Sequence, residues 1–105
     1  MSPRLTFVNH ETPQGLAWDE VSLPAAPFKT ALLRVDPGHT TPVDSHAVHE
    51  IWLVVRGTGE LVYDGSPMRL SEGDAVYLEP PKTHEVHNDG TEPLVVHSTW
   101  WEPTP

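Results

Sequence analysis

The chain of 105 residues carries fifteen Asp and Glu against six Lys and Arg, a formal charge of −9 with histidine neutral, and has no cysteine. This length suits one domain with one small core; the acidic balance repels phosphate backbones and anionic lipid surfaces, so neither nucleic acid nor membrane is an expected partner. Without cysteine there are no disulfides and no thiolate ligands, so any ion must be held by histidines and carboxylates.

Twelve prolines and seven glycines interrupt any long helix, and no apolar run approaches the ~18 residues of a membrane span. Met1-Ser2-Pro3-Arg4 lacks the apolar stretch of a secretory signal, which makes the cytoplasm the expected location. Residues 1–29 read as an N-terminal arm, broken by Pro3, Pro13, Gly15, Pro24 and Pro27, with extended pieces at 5–8 and 17–21. Residues 30–35 form a predicted strand ended by the turn sequence Asp36-Pro37-Gly38. Residues 50–56, rich in β-branched and aromatic side chains, form another, and Gly57-Thr58-Gly59 turns the chain into a strand at 60–63. Asp64-Gly65 is a hairpin signal leading to 68–70, and Glu72-Gly73-Asp74 turns again into 75–78, closed by Pro80-Pro81. Strands at 84–87 and 94–101 flank the turn Asn88-Asp89-Gly90, and 102–105 is a tail. No apolar stripe of helical period appears, so the chain reads as a single all-β sandwich or barrel.

Seven histidines are many for this length, and their placement carries the chemistry. In the stretch from Gly38 to Glu50, the side chains of Asp44, His46 and Glu50 share parity, so an extended chain puts all three on one face. His84 opens a later strand that a neighbouring strand can bring opposite His46. Two imidazoles with carboxylates suit Fe, Mn, Ni or Zn. With a divalent ion, two carboxylates give a nearly neutral inner shell.

These residues sit in a recurring pattern. Gly38, His46, Glu50 and Gly57 fall at the spacings of the first cupin motif, G-x5-H-x-H-x3-E-x6-G, with Asp44 where that family has its first histidine. Gly73, His84 and Asn88 fall at the spacings of the second, G-x5-P-x-G-x2-H-x3-N, with Glu79 and Pro81 replacing its proline and glycine. Residues 30–101 thus resemble the cupin superfamily, a small RmlC-like jelly roll or double-stranded β-helix. The resemblance implies one metal ion at the barrel mouth on His46, Glu50 and His84. Asp44 is either a fourth ligand or a general base beside a shell with open sites. Asp44, if not a ligand, is the candidate general base, with Glu79 or Tyr77 as distant second choices.

Other residues are weighed against plainer roles. Trp52 shares parity with Glu50 and reads as a pocket wall. Arg34 and Arg56 are rare cations in an acidic chain; each is either a fork for a substrate carboxylate or an ordinary surface ion pair. His10, His39, His49 and His87 read as solvated or hydrogen-bonded, and His97 as either lining the cavity or lying outside. The cupin family spans dioxygenases, isomerases, decarboxylases, lyases and binding proteins, so fold alone does not name a reaction. The expected function is metal-dependent chemistry on a small organic molecule, of oxygenase or of lyase, isomerase or cyclase type. The alternatives are a non-catalytic small-ligand or sensor domain and a metal-free structural β-domain. A barrel this small with an N-terminal arm is expected to form a homodimer.

Overall fold

The computed structural model describes residues 3–103. Nine strands follow in chain order: β1 (Val8–Glu11), β2 (Leu16–Val21), β3 (Lys29–Val35), β4 (His49–Arg56), β5 (Gly59–Tyr63), β6 (Ser66–Leu70), β7 (Ala75–Leu78), β8 (His84–His87) and β9 (Leu94–Trp101). All named pairings are antiparallel. A six-stranded sheet has the order β1-β2-β3-β9-β4-β7, and a three-stranded sheet the order β6-β5-β8. The result is an all-β jelly roll. Among the described residues no helix is long and apolar enough to cross a membrane.

Alternation along the strands builds the core. Val35, Leu94, Val96, Trp52, Val54 and Leu78 point inward from the large sheet and meet Leu61, Leu70 and Val86. Gly57 has φ +85°, and a Cβ there would lie 2.6 Å from the Pro93 carbonyl oxygen, so the first motif ends on a position only glycine fills. Asn88, the last residue of the second motif, is fully buried. Its Nδ2 donates to the carbonyls of Val35 and Glu92, each at 2.9 Å, and its Oδ1 accepts from Gly90 N. It ties the end of β3 to the loop entering β9.

Three features differ from the sequence reading. The first strand is β1 at Val8–Glu11 rather than 5–8, because Val8 pairs with Glu20 across a β1–β2 hairpin, while Leu5 and Phe7 stay exposed. The expected arm therefore carries two strands of the large sheet, β1 at its edge and β2 between β1 and β3, rather than a free extension; Met1 and Ser2 lie outside the described residues, as do Thr104 and Pro105 of the tail. The third is a register shift between Val54 and Arg56 on β4, a bulge that breaks the alternation at the strand's end.

One short pairing positions the site. The segment before β4 runs beside β8, with bridges Thr40↔His87 and Asp44↔His84. Asp44 N donates to His84 O and His84 N donates to Asp44 O, both at 2.9 Å. The loop is thus stitched to the small sheet while β4, which follows it directly, belongs to the large one.

Candidate metal centre

Directly opposed residues in an antiparallel pair share a face. The Asp44↔His84 bridge therefore brings these two side chains together, and Asp44 Oδ2 lies 4.0 Å from His84 Nε2. His46, two residues on, keeps that face; its ring stands 5.1 Å from that of His84, centroid to centroid. Asp44, His46 and His84 each offer a ligand atom within 4.8 Å of the others. Glu50 joins through His46, with Oε1 2.9 Å from Nε2.

Each member is held from behind. His46 Nδ1 donates to the Val48 carbonyl at 2.9 Å. That fixes the tautomer, so Nε2 of the neutral ring presents a lone pair toward Glu50. Two lone-pair atoms at 2.9 Å need a cation between them, either a proton or a metal ion. Two donors bonded at right angles to one ion at ordinary distances sit about 3 Å apart. Glu50 is buried, and its Oε2 accepts from Trp52 Nε1 at 2.8 Å and from the Ser98 hydroxyl. These two donors aim the other oxygen at the cluster. Imidazole ligands oriented by a second hydrogen bond and a braced carboxylate are the supports metal sites use.

His84 is 6% exposed, and its Nδ1 is buried with no hydrogen-bond partner among the described residues. Burial lowers its pKa from the ordinary imidazole value; Glu50 pulls upward, His46 pushes down and Asp44 pulls upward. The neutral ring is the form that ligates. The residues present thus fit a divalent ion on a two-histidine, two-carboxylate set.

The cluster faces a cavity of about 530 Å³ between the large sheet and the 41–48 segment. Trp52 is in its wall, edge-on to His84 at 5.6 Å. Tyr77, Arg34 and Arg56 are not. Tyr77 points out of the opposite face of the large sheet, stacked on His49 and bonded to its Nδ1 at 2.5 Å. Arg34 alternates with the inward Leu33 and Val35 and pairs with Asp36 at 3.4 Å. Arg56 is turned outward by the bulge and meets Glu92 at 3.2 Å. Glu79 is exposed and pairs with Lys82. His97 also lies outside the cavity, its Nε2 2.6 Å from the Thr30 hydroxyl. His10 stacks on Trp18, and His87 Nδ1 lies 2.5 Å from the Thr40 hydroxyl. Ser98 was missed by sequence reasoning. The signal was available: in β9 it alternates inward with Leu94 and Val96, and a hydroxyl at such a position needs a polar partner.

The family model of the cupin domain matches residues 31–100. The chain belongs to the cupin family. Two curated proteins are similar to part of this chain. The mannose-1-phosphate guanylyltransferase of Escherichia coli (strain K12) is 32% identical over 68 residues, 64% of this chain and 14% of that protein. Xanthan biosynthesis protein XanB of Xanthomonas campestris pv. campestris (strain B100) is 30% identical over 79 residues, 74% of this chain and 17% of that protein. This cupin therefore spans only a small part of both relatives. A Cupin 2 conserved barrel domain protein from Salinispora arenicola CNS-205 has a crystal structure that superposes with a TM-score of 0.77, at 33% identity, over 85% of this chain and 77% of that one.

Proposed function

We propose that this cupin is a metal-dependent enzyme for a small organic molecule, holding one divalent Fe, Mn, Ni or Zn ion on His46, Glu50, His84 and Asp44. The observation that carries the reading is the convergence of these four side chains at a cavity, with Glu50 Oε1 2.9 Å from His46 Nε2. A bound ion would polarise a substrate oxygen or, if redox-active, support oxygenase chemistry. The chain's own residues supply the rest. Trp52 and Ser98 keep Glu50 aimed, Val48 keeps His46 in one tautomer, and the apolar wall flanks the cluster. Asp44 is the one member with an exposed side chain, 65% accessible, so it is placed to exchange a proton with a ligand as well as to ligate. Oxygenase chemistry and lyase, isomerase or cyclase chemistry both fit this set.

The other reading is a non-catalytic small-ligand domain. It is favoured by one observation: apart from the cluster, the described cavity wall offers no second acid or base, since Tyr77 and Glu79 lie outside. Metal content and turnover separate the two. The purified protein is expected to hold close to one metal ion per chain, and His46→Ala and His84→Ala to lose it while remaining folded. Full metal content in both variants would overturn the site. Metal without turnover or oxygen uptake across a panel of enols, catechols and hydroxy-ketones would favour the binding domain.

A homodimer remains part of this proposal, through a surface other than the arm. The outer face of β3, β9, β4 and β7 exposes Leu32, Leu53, Ile51 and Tyr77, with His97 and Thr99 between them in register. On a chain of charge −9 this strip gathers the apolar surface of the outer face, with Asp19 at its margin opposite Leu32.

A further inference from the structure

The cavity has a one-sided chemistry. Its polar side chains are Asp44, His46, Glu50 and His84, with Thr12 and Thr41 besides. Everything else described on the wall is aliphatic or aromatic: leucines, valines, a proline, and the three indoles of Trp18, Trp52 and Trp100. No Lys, Arg, Asn, Gln, Ser or Tyr is among the described lining residues. Four of the chain's six cations are engaged elsewhere. Arg34, Arg56, Arg69 and Lys82 each lie against a carboxylate outside the cavity.

A phosphate or a second carboxylate inside an apolar cavity needs cationic or N–H donors to offset its lost hydration. Here it would meet two carboxylates instead. A divalent ion is already balanced by Asp44 and Glu50, so an added anion leaves the site with net negative charge in a poorly screened space. A sugar presents hydroxyls on every side, and each one set against valine or leucine without a partner costs free energy. A planar apolar body with oxygens at one end meets neither penalty. The volume, about 530 Å³, is in the range of ordinary small-ligand pockets.

We infer that the ligand of this site is an uncharged, predominantly apolar molecule of aromatic type, bearing an enol, catechol or hydroxy-ketone oxygen pair at one end only, and not a sugar phosphate or nucleotide sugar. The inference rests on the metal-dependent reading for the oxygen-bearing end alone; the apolar body is read from the wall. Leu33 is the wall residue best suited to test it, since it is only partly buried and packs against the core from the cavity side.

Isothermal titration calorimetry on zinc-loaded and on chelator-treated protein tests the inference, with metal content measured on the same samples. The probes are 2,3-dihydroxynaphthalene, 2-naphthol, 2-naphthyl phosphate and mannose 1-phosphate. The zinc-loaded protein is expected to bind 2,3-dihydroxynaphthalene at least 100-fold more tightly than either phosphate. 2-Naphthol, which uses the wall alone, is expected to bind both samples with affinities within about threefold. Leu33→Gln is expected to weaken 2-naphthol at least tenfold with metal content unchanged. A phosphate that binds as tightly as the diol would overturn the inference, and so would the absence of binding by both naphthols. If the protein takes up no zinc but binds 2-naphthol in a Leu33-dependent way, the metal reading fails and the apolar ligand class stands.

Discussion

Asp44 is the residue at which this chain leaves its family's pattern, and its surroundings give it two distinguishable roles. The backbone bridge to His84 holds it at the cluster, yet its side chain is mostly open to solvent. A carboxylate that ligates contributes to affinity; one that only moves protons does not. Asp44→Ala is expected to lower metal affinity at least tenfold if it ligates, and to keep the metal while losing turnover if it is the base. Metal content against turnover for this one variant separates the roles. A variant retaining both would leave Asp44 a solvated carboxylate at a loop.

His84 sets the pH behaviour. Burial depresses its pKa, so the folded chain binds fewer protons than the unfolded chain, whose imidazole titrates near ~6.5. Stability therefore rises with pH across this window: the contribution is complete above the unfolded value and is lost as pH falls toward the depressed one. For metal-free protein the urea midpoint is expected to drop between pH 7.5 and 5.5, with a shallower drop in His84→Gln. Metal affinity should fall as pH is lowered over this range, because protons compete with the ion for its ligands. An affinity flat over that range would contradict two-histidine ligation.

Element boundaries were legible because the chain punctuates itself. Asp64-Gly65 between β5 and β6 and Asp36-Pro37-Gly38 after β3 are turn chemistry that strands cannot absorb, and both turns stand where those residues place them. Parity put Glu50 and Trp52 on the inner face of β4, but Asp44 and His46 reach the same cavity from the small sheet, across a bend at 47–48 that alternation along one strand does not describe. It failed at Arg56, because a bulge is a local insertion in pairing that leaves no mark in the alternation of β4 itself. It was silent on Arg34, whose parity with Leu32 placed it with an apolar residue that turns out to face outward. An exposed apolar sheet face reads the same as a buried one until the partner sheet is known. Asn88 shows a motif position whose work is structural. It satisfies two carbonyls and one N–H at the junction of β3 and β9, with no solvent to replace it. Asn88→Ala is expected to cost about 3 kcal/mol, from buried groups left unpaired and a small cavity. Equilibrium urea unfolding checks this, and a loss below about 1 kcal/mol would mean that water takes over the role.

At the scale of the whole molecule the two faces of the large sheet have different tasks. The inner face carries the core and the cavity, while the outer face holds a row of apolar side chains with nothing described above it. Leu53 sits near the centre of that row, opposite His97 on β9 and Ala75 on β7, and is 45% exposed. Two chains of charge −9 repel, so association through this face works against long-range electrostatics and is helped when salt screens them. The proposed homodimer is thus expected to tighten between 20 mM and 300 mM NaCl, the opposite of an interface built on ion pairs. Light scattering after size exclusion at micromolar concentration should give twice the chain mass. Leu53→Glu should give the monomer while keeping its metal, because the substitution faces away from His46 and His84. A wild-type monomer at high salt would remove the dimer. A Leu53→Glu protein that stays dimeric would move the interface to another surface, with the paired edge strands β1 and β7 next in line because only they leave a backbone edge of the large sheet open.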